Sequence, residues 1–180
     1  MSIKGTILVV DDSTSNLLGM QKILEKEGFN VHTTTNGEEA IKIMEEKPID
    51  VVLLDLMMPG FSGFDVLGET TKIQEIKDIP IIIVSARSNA KDVKDALERG
   101  AVDYIKKPID ITELLARTGA AIKLKSRQYC TTRLNNIADY SKEMNLAKLT
   151  ALVKSKLRDD LGGLNDNKEE FCTFVSENLD

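Results

Sequence analysis

No stretch of the 180-residue chain approaches the roughly 18–20 consecutive apolar residues that span a bilayer, so no membrane-spanning helix and no membrane partner are expected. A secretory leader is missing as well. One lysine precedes the short run Ile7-Leu8-Val9-Val10, and Asp11-Asp12 follow at once, which is too short and too acidic an ending; a cytoplasmic location is the default expectation. Cysteine is scarce. Cys130 and Cys172 lie far apart with no CxxC or Cys/His ligand spacing, which argues against a zinc site and for two reduced thiols. Positive charge is not in excess either: the formal net charge is -5, and nothing global draws the chain to nucleic acid or anionic lipid.

The fractions that remain, 42% hydrophobic and 29% charged, are those of a soluble globular protein. The length suggests one domain over residues 1–125 and a shorter appendage over 126–180. Over the first 125 residues, β-rich apolar runs (Ile7–Val10, Val31–Thr34, Val51–Leu54, Ile81–Val84, Val102–Ile105) alternate with segments of helical periodicity. The helical segments are marked by Leu17, Leu18, Ile23 and Leu24; by Ala40, Ile41 and Met44; by Phe64, Leu67 and Ile73; and by Val93, Ala96 and Leu97. A fifth starts after Asp110, a plausible N-cap. Gly28 and Gly100 fall where helices should stop, and Pro48 follows the second. Strands alternating with helices imply βαβ units, hence an α/β fold with a five-stranded parallel sheet, doubly wound with helices on both faces. Ligands of such sheets bind at the carboxyl ends of the strands.

Asp11 and Asp12 end the first run, Asp55 the third and Ser85 the fourth, while Lys107 lies just past the fifth. Three carboxylates, a hydroxyl and an ammonium should therefore meet at one sheet edge. Clustered carboxylates repel one another unless a cation sits among them. Mg²⁺ suits a small oxygen set that keeps some waters, with Mn²⁺ as an alternative. Such an incomplete metal site leaves room for phosphate oxygens, and phosphoryl transfer needs in-line positioning with cations on the equatorial oxygens. A carboxylate can itself be the nucleophile. Asp55, the lone acid at the end of the middle strand, is the candidate, with Asp11 and Asp12 holding the metal. The plainer reading of Asp11-Asp12, followed by Ser13-Thr14, is a cap for the first helix.

The segments ILVVDD (Ile7–Asp12), VVLLDLMMPG (Val51–Gly60), IIIVSA (Ile81–Ala86) and AVDYIKKP (Ala101–Pro108) resemble, in order and spacing, the receiver domain of bacterial two-component response regulators. The resemblance covers about residues 5–125. It implies a flavodoxin-like fold and phosphorylation on Asp55. It also implies Mg²⁺ held by Asp11 or Asp12, by Asp55 and by the backbone carbonyl of Met57. Lys107 would contact the phosphate, with a cis bond before Pro108. Ser85 stands where threonine is commoner in the family and keeps the hydroxyl. Ser85 and Tyr104 would form the switch, acting through the face of the fourth helix, fifth strand and fifth helix, the surface that commonly pairs receivers into homodimers. The phosphate source would be a histidine kinase or phosphotransfer protein. His32, the single histidine, lies in a predicted strand and makes a poor phosphohistidine. Catalysis is expected to extend no further than self-phosphorylation and dephosphorylation, so the chain is not expected to be an enzyme in its own right.

The appendage repeats Leu134, Ile137, Leu146, Leu149, Val153, Leu157 and Leu161 at helical steps. The fifth helix is expected to run on towards Lys142, with further helices near Asn145–Leu161 and Lys168–Asn178. Residues 126–158 carry seven Lys/Arg against two acids (+5), and residues 159–180 carry one Lys against seven acids (-6). No cyclase or phosphodiesterase domain fits that length, and no helix-turn-helix with a basic recognition helix is visible. The appendage is expected to be a short output module acting on a downstream protein target, a dimerisation element, or the front portion of a longer protein. Binding of the +5 segment to DNA, as in a transcription factor, is the rival. A metal-dependent phosphohydrolase would typically end its first strand in DxD, but Asp11-Asp12 is followed by Ser13. A pseudo-receiver is disfavoured because all five site residues are present.

Overall fold

The computed structural model of the chain describes residues 4–86 and 90–141, with side chains described as far as residue 126. Five strands, β1 (Thr6–Val10), β2 (Asn30–Thr34), β3 (Val51–Leu54), β4 (Ile81–Ser85) and β5 (Asp103–Lys106), form a sheet of order β2-β1-β3-β4-β5. Every pairing in it is parallel. Helices α1 (Thr14–Lys26), α2 (Gly37–Glu46), α3 (Gly63–Thr70), α4 (Ala90–Glu98) and α5 (Ile111–Ser141) connect the strands and follow the last. This is the doubly wound architecture that the alternation of runs implied, in the flavodoxin-like form that the resemblance implied. None of the described helices is long and apolar enough to cross a membrane.

Burial follows from strand geometry. Successive side chains point to opposite faces of the sheet, so Leu8 and Val10 of β1 enter one core cluster while Ile7 and Val9 enter the other. The first cluster takes its helical cover from α2, α3 and α4, through Ala40, Met44, Val66, Leu67 and Ala96. The second takes it from α1 and α5, through Leu17, Met20, Leu24, Leu114 and Ala121. Strands β1, β3 and β4 are buried on both faces, which is why their sequences read as unbroken apolar runs. Each fully buried Leu or Ile contributes about 1.5–3 kcal/mol relative to exposure. A one-residue slip of register would turn each strand's inward residues to the opposite face.

Caps set the helix boundaries. Ser13 caps α1, Asn36 caps α2, and Ser62 with Asp65 forms a reciprocal capping box on α3. The carboxylate of Asp110 accepts from the Glu113 amide at 2.9 Å, as expected of the cap of α5. Gly28 and Gly100 follow α1 and α4 with φ of 91° and 105°, left-handed values that favour glycine. Strands β1 and β2 open one residue early, at Thr6 and Asn30, β4 runs one further to Ser85, and β5 and α3 differ as well. Strand β5 opens at Asp103 rather than Val102, which is 41% exposed at the strand's mouth, and runs on to Lys106. Helix α3 stops at Thr70, leaving Ile73 in the following turns. The hydroxyls of Thr70 and Thr71 bond back to the carbonyls of Leu67 and Gly68 at 2.9 Å, a competing use of those acceptors at the helix end.

The chain divides into two compact units, the first closing at Gln128 and the second opening at Tyr129; the sheet belongs wholly to the first. Helix α5 continues to Ser141, close to the expected Lys142. The helices expected near Asn145–Leu161 and Lys168–Asn178 lie outside the described residues.

Thr118 on α5 is fully buried, and its hydroxyl has no hydrogen-bond partner among the described residues. An unpartnered buried hydroxyl costs about 1–3 kcal/mol, so Thr118→Val is expected to raise stability by about 1 kcal/mol. The measure is the urea midpoint at unchanged m-value; a lower midpoint in the variant would contradict this reading.

Candidate functional site

Parallel register brings the strand ends together. Val10 pairs with Leu54, so Asp11 and Asp55 leave neighbouring strands side by side. The Asp55 amide donates to the Val10 carbonyl at 2.9 Å, and the Asp11 amide to the Thr34 carbonyl at 3.2 Å, fixing both residues at the carboxyl rim. Ser85 is the last residue of β4 and fully buried, and its carbonyl accepts from the Lys107 amide at 3.0 Å. Strands from the middle of the sheet outward therefore deliver Asp11, Asp12, Asp55, Ser85 and Lys107 to one edge.

Lys107 spans the acidic pair. Its Nζ donates to Asp11 Oδ2 at 2.6 Å and also to Asp55 Oδ2. Burial works to lower the ammonium, but the hydrogen bonds to Asp11 and Asp55 and the two negative charges outweigh it, and its pKa lies above the ordinary lysine value. The site thus holds its lysine charged.

Asp11 and Asp55 are buried while Asp12 is exposed, and one carboxylate oxygen from each lies within 4.8 Å of the others. Three carboxylates against one ammonium leave a formal charge of -2 on a set of hard oxygens with one side open to solvent. That donor set fits a small divalent cation that keeps part of its water shell. The Met57 amide donates to Asp55 Oδ1 at 3.0 Å, turning the second Asp55 oxygen towards Lys107. The Lys107–Pro108 peptide is cis, as the resemblance implied.

Capping does not account for the paired acids. Ser13 is the cap of α1, and Asp11 Oδ1 instead accepts the Ser13 amide at 2.9 Å. Tyr104 sits mid-strand in β5, half-buried against the cluster that contains Ile81 and Ile83. By strand alternation Ser85 continues the face of those two isoleucines, the same face on which Tyr104 packs. His32 lies mid-strand on β2, opposite Leu8, and is held below its usual pKa by partial burial and then by the nearby Lys47.

Two residues of the site escaped the sequence reading. The Asn16 carboxamide donates to both oxygens of Asp11, at 3.0 and 3.2 Å. Only its place in the first turn of α1, five residues past Asp11, hinted at this. Gly63, the first residue of α3, lies against the Asp55 backbone: a Cβ there would stand 2.2 Å from the Asp55 carbonyl oxygen and 2.7 Å from Leu56 Cα. Backbone atoms cannot yield as a flexible side chain can. Gly63→Ala is therefore expected to destabilise the chain by about 1–3 kcal/mol or more through overpacking. Chemical denaturation would check it, and an unchanged midpoint would refute the close approach.

A family model described as the response regulator receiver domain matches residues 7–118. The transcriptional regulatory protein YkoG of Bacillus subtilis, itself uncharacterised, is 40% identical over 120 residues, covering 67% of this chain and 52% of that protein. Protein PilH of Pseudomonas aeruginosa is 36% identical over 116 residues, covering 64% of this chain and 96% of PilH. Among solved structures, the receiver domain of the Pseudomonas aeruginosa sensor histidine kinase PA1611, which has a magnesium ion coordinated in its active-site cleft, aligns with TM-score 0.62 and 26% identity, covering 66% of this chain and 98% of that one. The chain spans about half the length of several curated relatives it matches.

Proposed function

The chain belongs to the response regulator receiver family of two-component systems, and we propose that Asp55 is its phosphoacceptor, loaded by a histidine kinase or phosphotransfer protein. The observation that carries this is the Lys107 ammonium held between Asp11 and Asp55 at the carboxyl rim of the sheet. Asp11, Asp12, Asp55 and the Met57 carbonyl would hold the ion, Mg²⁺ or alternatively Mn²⁺, which would supply charge neutralisation on the transferring phosphoryl oxygens.

The chain's own residues do the rest. The Asp55 carboxylate oxygen attacks phosphorus in line, forming an O–P bond as the P–N bond to the donor imidazole breaks. The electron pair of that bond stays on the imidazole nitrogen. Lys107 leaves the acceptor oxygen and turns to a phosphoryl oxygen, keeping a positive charge on the group. The Ser85 hydroxyl donates to another. Catalysis by the chain ends with this transfer and the later attack of water on the aspartyl phosphate.

Signal output follows from the same geometry. Ser85 and Tyr104 share a sheet face, so a hydroxyl drawn towards the phosphoryl group opens space into which the Tyr104 ring turns. The face built from α4, β5 and α5 then changes its affinity for a second copy or a downstream protein. Residues 126–180 form the output or dimerisation element. A second reading, DNA binding, draws on the description of YkoG as a transcriptional regulatory protein, although this chain covers only about half of YkoG. Salt-dependent retention on duplex DNA would favour it.

Acetyl phosphate with Mg²⁺ should label the wild-type chain and leave Asp55→Asn unlabelled, read by mass shift. Lys107→Ala should accept the label yet fail to change its partner binding. Undiminished labelling of Asp55→Asn at an equivalent site would overturn the assignment.

A further inference from the structure

Asp11 receives four hydrogen bonds. The Ser13 amide reaches Oδ1 at 2.9 Å, the Asn16 amide group reaches Oδ1 at 3.0 Å and Oδ2 at 3.2 Å, and Lys107 Nζ reaches Oδ2 at 2.6 Å. These donors are not equivalent. The Ser13 bond is backbone and survives any substitution other than proline. The Lys107 bond is shared with Asp55 and, under the proposed function, is given up when the ammonium turns to phosphate. Once Lys107 has turned, Asn16 is the remaining described donor on Asp11 Oδ2.

The local fold explains how a residue on α1 reaches a strand-end carboxylate. Ser13 is the N-cap, and Asn16 stands three residues on, where a capping-box side chain would reach back to the cap's own amide. That amide is already taken by Asp11 Oδ1. The side chain at Asn16 is thereby released to go to the same carboxylate. Its orientation is chemically determined, since a carboxamide oxygen facing Asp11 would set acceptor against acceptor.

Charge matters as much as reach. Asn16 fixes the carboxylate without adding to or subtracting from the formal -2 of the site. A lysine or arginine at this position would tie Asp11 equally well but cancel half of the charge that a divalent ion requires.

We propose, resting on the phosphoacceptor reading above, that Asn16 is a positioning residue for the cation site: through a bond to each oxygen it holds the Asp11 carboxylate in its metal-binding orientation, both while Lys107 is on Asp11 and after Lys107 has turned to the phosphoryl group. Groups that orient metal ligands typically change affinity 10–100-fold when removed.

The test uses the full chain and the variants Asn16→Ala and Asn16→Leu, the second of similar shape but lacking donors. Asn16 is exposed, so neither variant opens a cavity. Titration calorimetry with Mg²⁺ alone should show about 10- to 100-fold weaker binding in both, at an unchanged urea midpoint. Labelling by acetyl phosphate should need correspondingly more Mg²⁺ yet reach the wild-type rate at saturation. Mg²⁺ affinity within twofold of wild type in both variants would overturn the proposal, as would a labelling defect that persists at saturating metal. A wild-type chain that binds no Mg²⁺ or is not labelled at Asp55 would instead bring down the phosphoacceptor reading itself.

Discussion

Like charge gathered at one rim of a parallel sheet is the constraint on which the rest of this molecule depends. The register that pairs Val10 with Leu54 leaves Asp11 and Asp55 with no choice but proximity, and Asp12 joins them within 4.8 Å. Two unit charges 4 Å apart interact by about 4 kcal/mol at the effective dielectric of a protein surface. Lys107 offsets part of that repulsion by bonding both buried acids. It cannot offset all of it, and under the proposed function the remaining negative charge is what a divalent cation would neutralise.

The core is what makes the rim reproducible. Two clusters, one on each face of the sheet, draw alternate residues from the same strands, so the register of β1, β3 and β4 is pinned from both sides. Gly63 adds a further restraint by letting the start of α3 close directly on the Asp55 backbone. The Asp55 carboxylate is thus carried on a part of the chain with little freedom, and its direction is set by the fold.

How much of this was legible in the sequence depended on what kind of signal each part left. The sheet was legible because strands buried on both faces must be apolar throughout, and Ile7–Val10, Val51–Leu54 and Ile81–Val84 are. The acidic rim was legible because acids and a lysine follow several such runs together, although Asp11-Asp12 alone could equally be read as a helix cap. Asn16 and Gly63 were not, because their roles are set by tertiary closeness. An asparagine in a first helical turn and a glycine after a serine cap look locally like ordinary helix-start residues. The end of α3 was misjudged for a local reason: Ile73 was counted with Phe64 and Leu67 although it lies six residues past Leu67, off its face, and the hydroxyls of Thr70 and Thr71 take carbonyls that a longer helix would use.

The unequal strength of the ties around α5 shows where such a domain can move. On its inner side Leu114 and Ala121 are buried in the core, and at the opposite rim Lys125 donates to the Ile49 carbonyl. Towards β5, by contrast, α5 is tied by Arg117 to Asp103 at 2.6 Å and, within the helix, to Glu113 at 2.8 Å. These groups are more than a third exposed, and exposed ion pairs contribute only about 0–1 kcal/mol each. A change at Lys107 enters this region directly, since Lys107 is the residue after β5 and its amide is bonded to Ser85. The surface of β5 and α5 can therefore rearrange against weak ties while the buried strands hold their register. A two-state readout of the kind proposed would draw on that arrangement: a firmly held Asp55, a cation shared between two anions, and a neighbouring face held by weak ties.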